Sequence, residues 1–233
     1  YFASGGFLGS PYGDALQWEG GLRLYKRLRQ YPELLGQSAP VDAFYANAGT
    51  SAIGAYAAVD GAIARIRILP EEWTSAMQSA QTDIQNATDA AGIQLAALAS
   101  VGTWEDSMTI YRAAEQTRLS ALPAYQSLMQ YVQLADSLRS TRAQAAWALN
   151  QALPAADILQ SNRKTVNKVY LETLGQGIMS LTTTQFAAIE PIARQCPLEG
   201  GGAVYTARGL YQLYTEEQFD DRSLCGFGNQ ERE

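Results

Sequence analysis

Apolar residues in this chain recur every three or four positions from about Gln17 onward. After residue 14 no segment alternates apolar and polar residues between turn signals. The first pattern is that of helices burying one face, and the missing second one is that of half-exposed strands. The spacing therefore predicts an all-α fold. Ile66-Arg67-Ile68 is the best strand candidate and is too short to build a sheet. With 233 residues, 47% of them hydrophobic, the chain can bury one sizeable core, or a core plus a protruding helical arm.

Punctuation divides the pattern. Residues 1–14 are Gly, Ser and aromatic, with Pro11 and Gly13 as breakers, and read as an extended lead-in or linker. A helical domain spans 15–180. Its first helix sets Leu22, Tyr25 and Leu28 on one face and breaks or kinks at Tyr31-Pro32. Arg23, Lys26, Arg27 and Arg29 could form an anion patch; the plainer reading is a solvated face opposite the apolar stripe. A second helix opens at Ser38-Ala39-Pro40 and continues through Tyr56, Val59 and Ile63. Its glycines lower helix propensity, so Gly49 and Gly54 predict either a tight helix crossing or a break at Gly49.

Leu69-Pro70-Glu71-Glu72 is a good helix start, with proline in the first turn and two acids at the positive end of the dipole. Met77, Ala80, Ile84, Ala87, Ala91, Leu95 and Leu98 follow as a heptad-like seam of small and apolar residues. Val101-Gly102-Thr103 closes that helix, and Thr103 is placed to cap the next. The following stripe runs from Trp104 to Leu149, and Pro123 should kink or split it. Segments 71–99 and 104–150 thus predict a long antiparallel helical hairpin, about 71–150. Pro154 opens a further helix that ends at Gly175-Gln176-Gly177.

Residues 181–233 read as a small helical cap. Thr182-Thr183-Thr184 is an N-cap signal, Pro197 to Gly202 is a tight turn, and a helix from Ala203 to Tyr211 leads to Glu216-Glu217, Asp220-Asp221 and Cys225. Cys196 and Cys225 flank one helix beside turns, where their Cα atoms could come within the roughly 4.4–6.8 Å that a bridge needs. Two unrelated buried thiols are the other reading. The placement beside turns favours the disulfide, which closes about thirty residues, stabilises by roughly 3–4 kcal/mol on the chain-entropy account, and implies an oxidising compartment.

The run Ile192-Ala193, Gln195-Cys196-Pro197-Leu198, Gly200-Gly201, Ala203-Val204-Tyr205, Ala207-Arg208, then Asp220-Asp221 and Cys225, resembles a segment of large secreted proteins of Bacteroidota. In those proteins it lies just before the type IX sorting region. The resemblance covers about residues 180–226, a fifth of the chain. It implies export through the outer membrane and display at, or release from, the cell surface, and it implies no activity. A sorting domain is expected to follow Glu233 in the full protein.

The chemistry open to the chain is narrow. It has no histidine, so Ser-His-Asp and Cys-His catalysis and the common zinc sites are excluded within it. Carboxylate pairs are the remaining catalytic constellation: Glu71-Glu72, Glu216-Glu217 and Asp220-Asp221. A glycosidase needs two carboxyls facing each other across a cleft, whereas these neighbours diverge and sit where helix starts or solvated turns want acids. Asp220-Asp221 lacks the spacing of a calcium loop. Gly200-Gly201-Gly202 precedes a helix but lacks the lysine and the preceding strand of a phosphate loop, so it reads as a turn. No catalytic, cofactor or metal residue is assigned, and the chain is not expected to be an enzyme. A net charge of −6 argues against nucleic acid as a partner. No apolar run reaches membrane-spanning length, so no membrane insertion is expected. Asp106-Ser107-Met108 and Asp136-Ser137-Leu138 resemble the O-glycosylation motif of Bacteroidota, yet both fall inside predicted helices.

The expected function is a non-catalytic structural or adhesive module of an exported, surface-displayed bacterial protein: a stalk, spacer or filament subunit. The second reading is a partner-binding accessory domain of a secretion or surface complex. Protein partners or self-association are expected, and the 13 tyrosines admit a surface glycan as a further ligand.

Overall fold

The computed structural model describes residues 12–226. All regular structure among them is helical: α1 (Gly13–Gln30), α2 (Ala39–Gly49), α3 (Ala52–Arg65), α4 (Glu71–Ala96), α5 (Trp104–Leu119), α6 (Leu122–Gln151), α7 (Ile158–Glu172), α8 (Thr183–Ala193), α9 (Pro197–Gly200), α10 (Ala203–Tyr211) and α11 (Asp221–Leu224). The Cys196–Cys225 disulfide is formed. The expected lead-in over residues 1–14 lies mostly outside the described residues, and α1 already begins at Gly13, with Asp14 in its first turn at the positive end of the dipole.

The helices group into two compact units, each with its own packing: an arm over 67–138, and a body made of the residues before and after it. The chain passes from arm to body within α6. The second leg of the hairpin expected over 71–150 is therefore divided twice. Its helix breaks at Ser120–Ala121, two residues ahead of Pro123, and from Arg139 onward it belongs to the body.

The body holds three apolar clusters. Val166 and Val169 of α7, Ile189 and Ile192 of α8, and Val204, Ala207, Leu210 and Tyr211 of α10 form the largest, with Phe186 and Phe219 packed against it. Leu22 and Tyr25 of α1, Ala48 of α2, and Tyr56 and Val59 of α3 form the second, closed by Leu153. Ile66, Ala143, Ala146 and Leu171 form the third, which explains why the tail of α6 packs here. Each large side chain so buried contributes roughly 1.5–3 kcal/mol.

Of the two readings for residues 38–63, the break occurs. α2 ends at Gly49 and α3 starts after Ser51, whose side chain accepts from the Ile53 N–H. The crossing is also tight: a Cβ on Gly54 would stand 2.6 Å from the Gly49 carbonyl oxygen. Pro154 opens no helix directly. α7 starts at Ile158, where the Asp157 carboxylate accepts from the Gln160 N–H at 2.8 Å, and Gly177, at φ 79°, takes the left-handed conformation after the turn that follows α7.

The arm is simpler. α4 and α5 pack together, and Thr117 donates to Gln94 at 3.0 Å. Trp73 near the start of α4 meets Tyr131 of α6 at 6.4 Å between ring centroids. Low numbers therefore face high ones, as an antiparallel hairpin requires. Its buried residues on α4 and α5 are Ala80, Ala91 and Ala114. Thr103 caps α5 as expected, accepting from the Asp106 N–H at 3.1 Å.

Candidate functional site

The C-terminal cap is built around one cation. Arg208 on α10 is 7% exposed. It donates to the carbonyls of Ala193 at 2.9 Å and Gln195 at 3.1 Å, and pairs with Asp221 at 2.6 Å. Its guanidinium lies 4.8 Å from the Phe219 ring centroid. The fork thus satisfies carbonyls at the end of α8 and ties down the segment that delivers Cys225 to Cys196, with 4.8 Å between the two Cα atoms. The arginine of the Ala207-Arg208 pattern has a structural role in this arrangement.

The carboxylate pairs are used in the same way. Glu217 binds Arg194 at 2.8 Å and accepts from the Tyr211 hydroxyl at 3.1 Å. Asp220 caps α11, and bonds from the Ser223 hydroxyl and the Arg222 N–H hold its carboxyl below the usual range. Glu71 and Glu72 occupy the exposed first turn of α4. Among the described residues no three His, Cys, Asp or Glu side chains cluster as a metal site would need. Ser107 and Ser137 both lie inside helices, and the Ser107 hydroxyl donates back to the Thr103 carbonyl at 2.9 Å.

The triple-glycine turn is occupied from within. The Glu19 carboxylate of α1 accepts from the Gly202 N–H at 2.7 Å, at the start of α10. A Cβ on Gly200 would collide with Gln195 and Val204, and Gly201 holds φ 74°. Glycine is required there by packing and backbone conformation. Glu19 also faces Arg163 at 3.6 Å, and Arg163 pairs with Asp60 at 2.7 Å. Asp60 in turn receives Lys26 at 2.9 Å. This chain of charges joins α1, α3, α7 and α10. Periodicity carries no sign of it, since each partner lies far away in sequence.

Two grooves border α1. One, of about 500 Å³, is lined by Asp14, Trp18, Ile53, Asp157 and Glu199. The Trp18 indole N–H beside it is buried and has no hydrogen-bond partner among the described residues. The second, of about 450 Å³, has Leu16, Leu24, Leu198 and Tyr205 as apolar walls and Arg23 and Arg27 at its edge. Among the described residues neither arginine pairs with a carboxylate. Arg23, Lys26, Arg27 and Arg29 all lie on the exposed side of α1, opposite buried Leu22, Tyr25 and Leu28. Two of the four nevertheless border a cavity, which the α1 sequence alone does not show, because the opposite wall comes from residues 197–205.

The arm presents large apolar groups to solvent. Trp104, the first residue of α5, is 76% exposed, Tyr111 60% and Met129 55%. Trp104 is followed by Glu105 and Asp106, so an exposed indole stands beside two acids at the turn joining α4 to α5. Residues 67–138 hold eight acidic and three basic side chains, a net −5 of the chain's −6. No helix among the described residues is long and apolar enough to cross a membrane. No protein-family model matches the chain, and neither curated proteins nor solved structures match it.

Proposed function

We propose that the chain is a non-catalytic helical module of an exported, surface-displayed bacterial protein, serving as a stalk, spacer, filament subunit or adhesion unit. The carrying observation is the arm. A unit that buries alanines on its helices and turns Trp104, Tyr111 and Met129 outward is organised to offer contact area. Engaged carboxylates in the cap, and a chain without histidine, fit a structural role better than a catalytic one. The disulfide supports export, because such bonds persist in oxidising compartments. The resemblance of residues 180–226 to secreted Bacteroidota proteins supports the same location. The arm's exposed aromatic groups favour the second reading, a partner-binding accessory domain of a surface complex. Labelling of intact producing cells with a membrane-impermeant amine reagent tests the location. The protein should be modified without lysis, and modification only after lysis would overturn the reading.

A further inference from the structure

Two features of the molecule are opposite in charge, and one is an apolar groove while the other is an exposed indole. The second groove beside α1 is apolar inside, holds about 450 Å³, and carries Arg23 and Arg27, which pair with no carboxylate among the described residues. Its one acid, Glu19, is already held by the Gly202 N–H and Arg163. The arm offers the matching group. Trp104 is 76% exposed, the largest exposed side chain of the arm, and Glu105 and Asp106 follow it directly. A cavity of this size takes an indole with room for its neighbours. Tryptophan buried in a pocket is among the side chains that most often carry the energy of a protein contact, and opposite charges at its rim set orientation and approach.

We propose that Trp104 of one copy docks in the α1 groove of a second copy, where Glu105 and Asp106 meet Arg23 and Arg27, so that copies associate head to tail. A contact between two different patches is heterologous, and it leads to rings or open chains instead of closing as a two-fold dimer. The acidic arm and the basic face of α1 steer this approach, and salt weakens it. The partner is thus a second copy of this chain. The inference rests on the structural reading above, and the two fail separately. A wild type that stays monomeric overturns head-to-tail docking, whereas failed surface labelling overturns the reading and leaves the docking result in place.

Sedimentation velocity of the full chain over a roughly hundredfold concentration range tests it. Wild type should grow beyond the dimer with concentration, and less so at high salt. Trp104→Ala should weaken association by about tenfold or more, as loss of an anchoring tryptophan does. The double variant Arg23→Glu, Arg27→Glu should do the same. An equimolar mixture of the two variants should stop at a dimer, because one intact tryptophan then meets one intact groove. All three side chains are exposed, and circular dichroism verifies that the variants keep their helicity. Association unchanged by either variant, or a mixture that stays monomeric, would overturn the proposal.

Discussion

In the body, helices meet through Tyr56, Leu171, Ile189 and Val204, each essentially without solvent exposure; in the arm the buried side chains are alanines (Ala80, Ala91, Ala114, Ala121 and Ala135), and larger groups such as Trp73, Ile84 and Tyr131 are only half-buried. A buried methyl contributes far less than a buried isoleucine, at roughly 0.8 kcal/mol per carbon. Alanine seams let backbones approach closely but hold little apolar area. The arm's cohesion rests on this half-buried seam together with helix propensity and caps such as Thr103. The body leans on cores, a buried arginine and a disulfide. The two units thus differ in burial: the body encloses large side chains fully, whereas every large apolar side chain of the arm is half-buried or exposed.

Substitutions in the two units test this contrast. Ile189→Ala in the body should cost about 4 kcal/mol in chemical denaturation, from lost transfer energy plus a cavity. Replacing Cys196 and Cys225 together by serine should cost about 3–4 kcal/mol for the 29-residue separation it opens. A loss below about 1 kcal/mol would show that the cap keeps its structure without the bridge.

Tyr56→Phe should cost about 1–2 kcal/mol, because the Pro154 and Gln160 carbonyls, 2.6 and 2.8 Å from its hydroxyl, lose their donor. The same residue carries a pH signature. Burial, with help from Asp157, pushes its hydroxyl up to about 12 from 10.0. The unfolded hydroxyl releases its proton first, so this contribution is whole below pH 10 and is lost as pH rises through 12. Denaturation midpoints across that window should fall less steeply in the phenylalanine variant than in wild type.

In the arm the effects shrink. Thr103→Ala should cost about 1 kcal/mol by removing the α5 cap. Tyr111→Ala should change stability by no more than about 0.5 kcal/mol, since its ring is 60% exposed. A loss for Tyr111 as large as that for Ile189 would erase the distinction between the two units.

Much of the local structure is legible in the residues. Pro70-Glu71-Glu72 starts α4, Thr103 caps α5, Thr182 and Gln185 form a capping box on α8, and Gly177 ends the turn after α7. Each is a signal read within a few residues. The fate of residues 139–151 is not legible. Ala143 and Ala146 continue the same small-residue stripe as the arm, and only their partners, Ile66 and Leu171, place them in the body. The grooves are hidden for the same reason, because Arg23 and Arg27 look like ordinary solvated charges until Leu198 and Tyr205 come to face them.

Helicity and several helix starts, those of α4, α5 and α8 among them, are set by nearby residues, because propensity, capping and apolar period act over a few positions; two cysteines beside turns permit a bridge, and only the packed cap brings their Cα atoms to 4.8 Å. Packing of distant segments fixes where the arm ends, that Glu19 fills the glycine turn, that Asp60 and Arg163 pair, and that a groove opens beside α1. Those outcomes depend on side chains brought together from distant positions, and burial and charge pairing become specific only once the helices have packed.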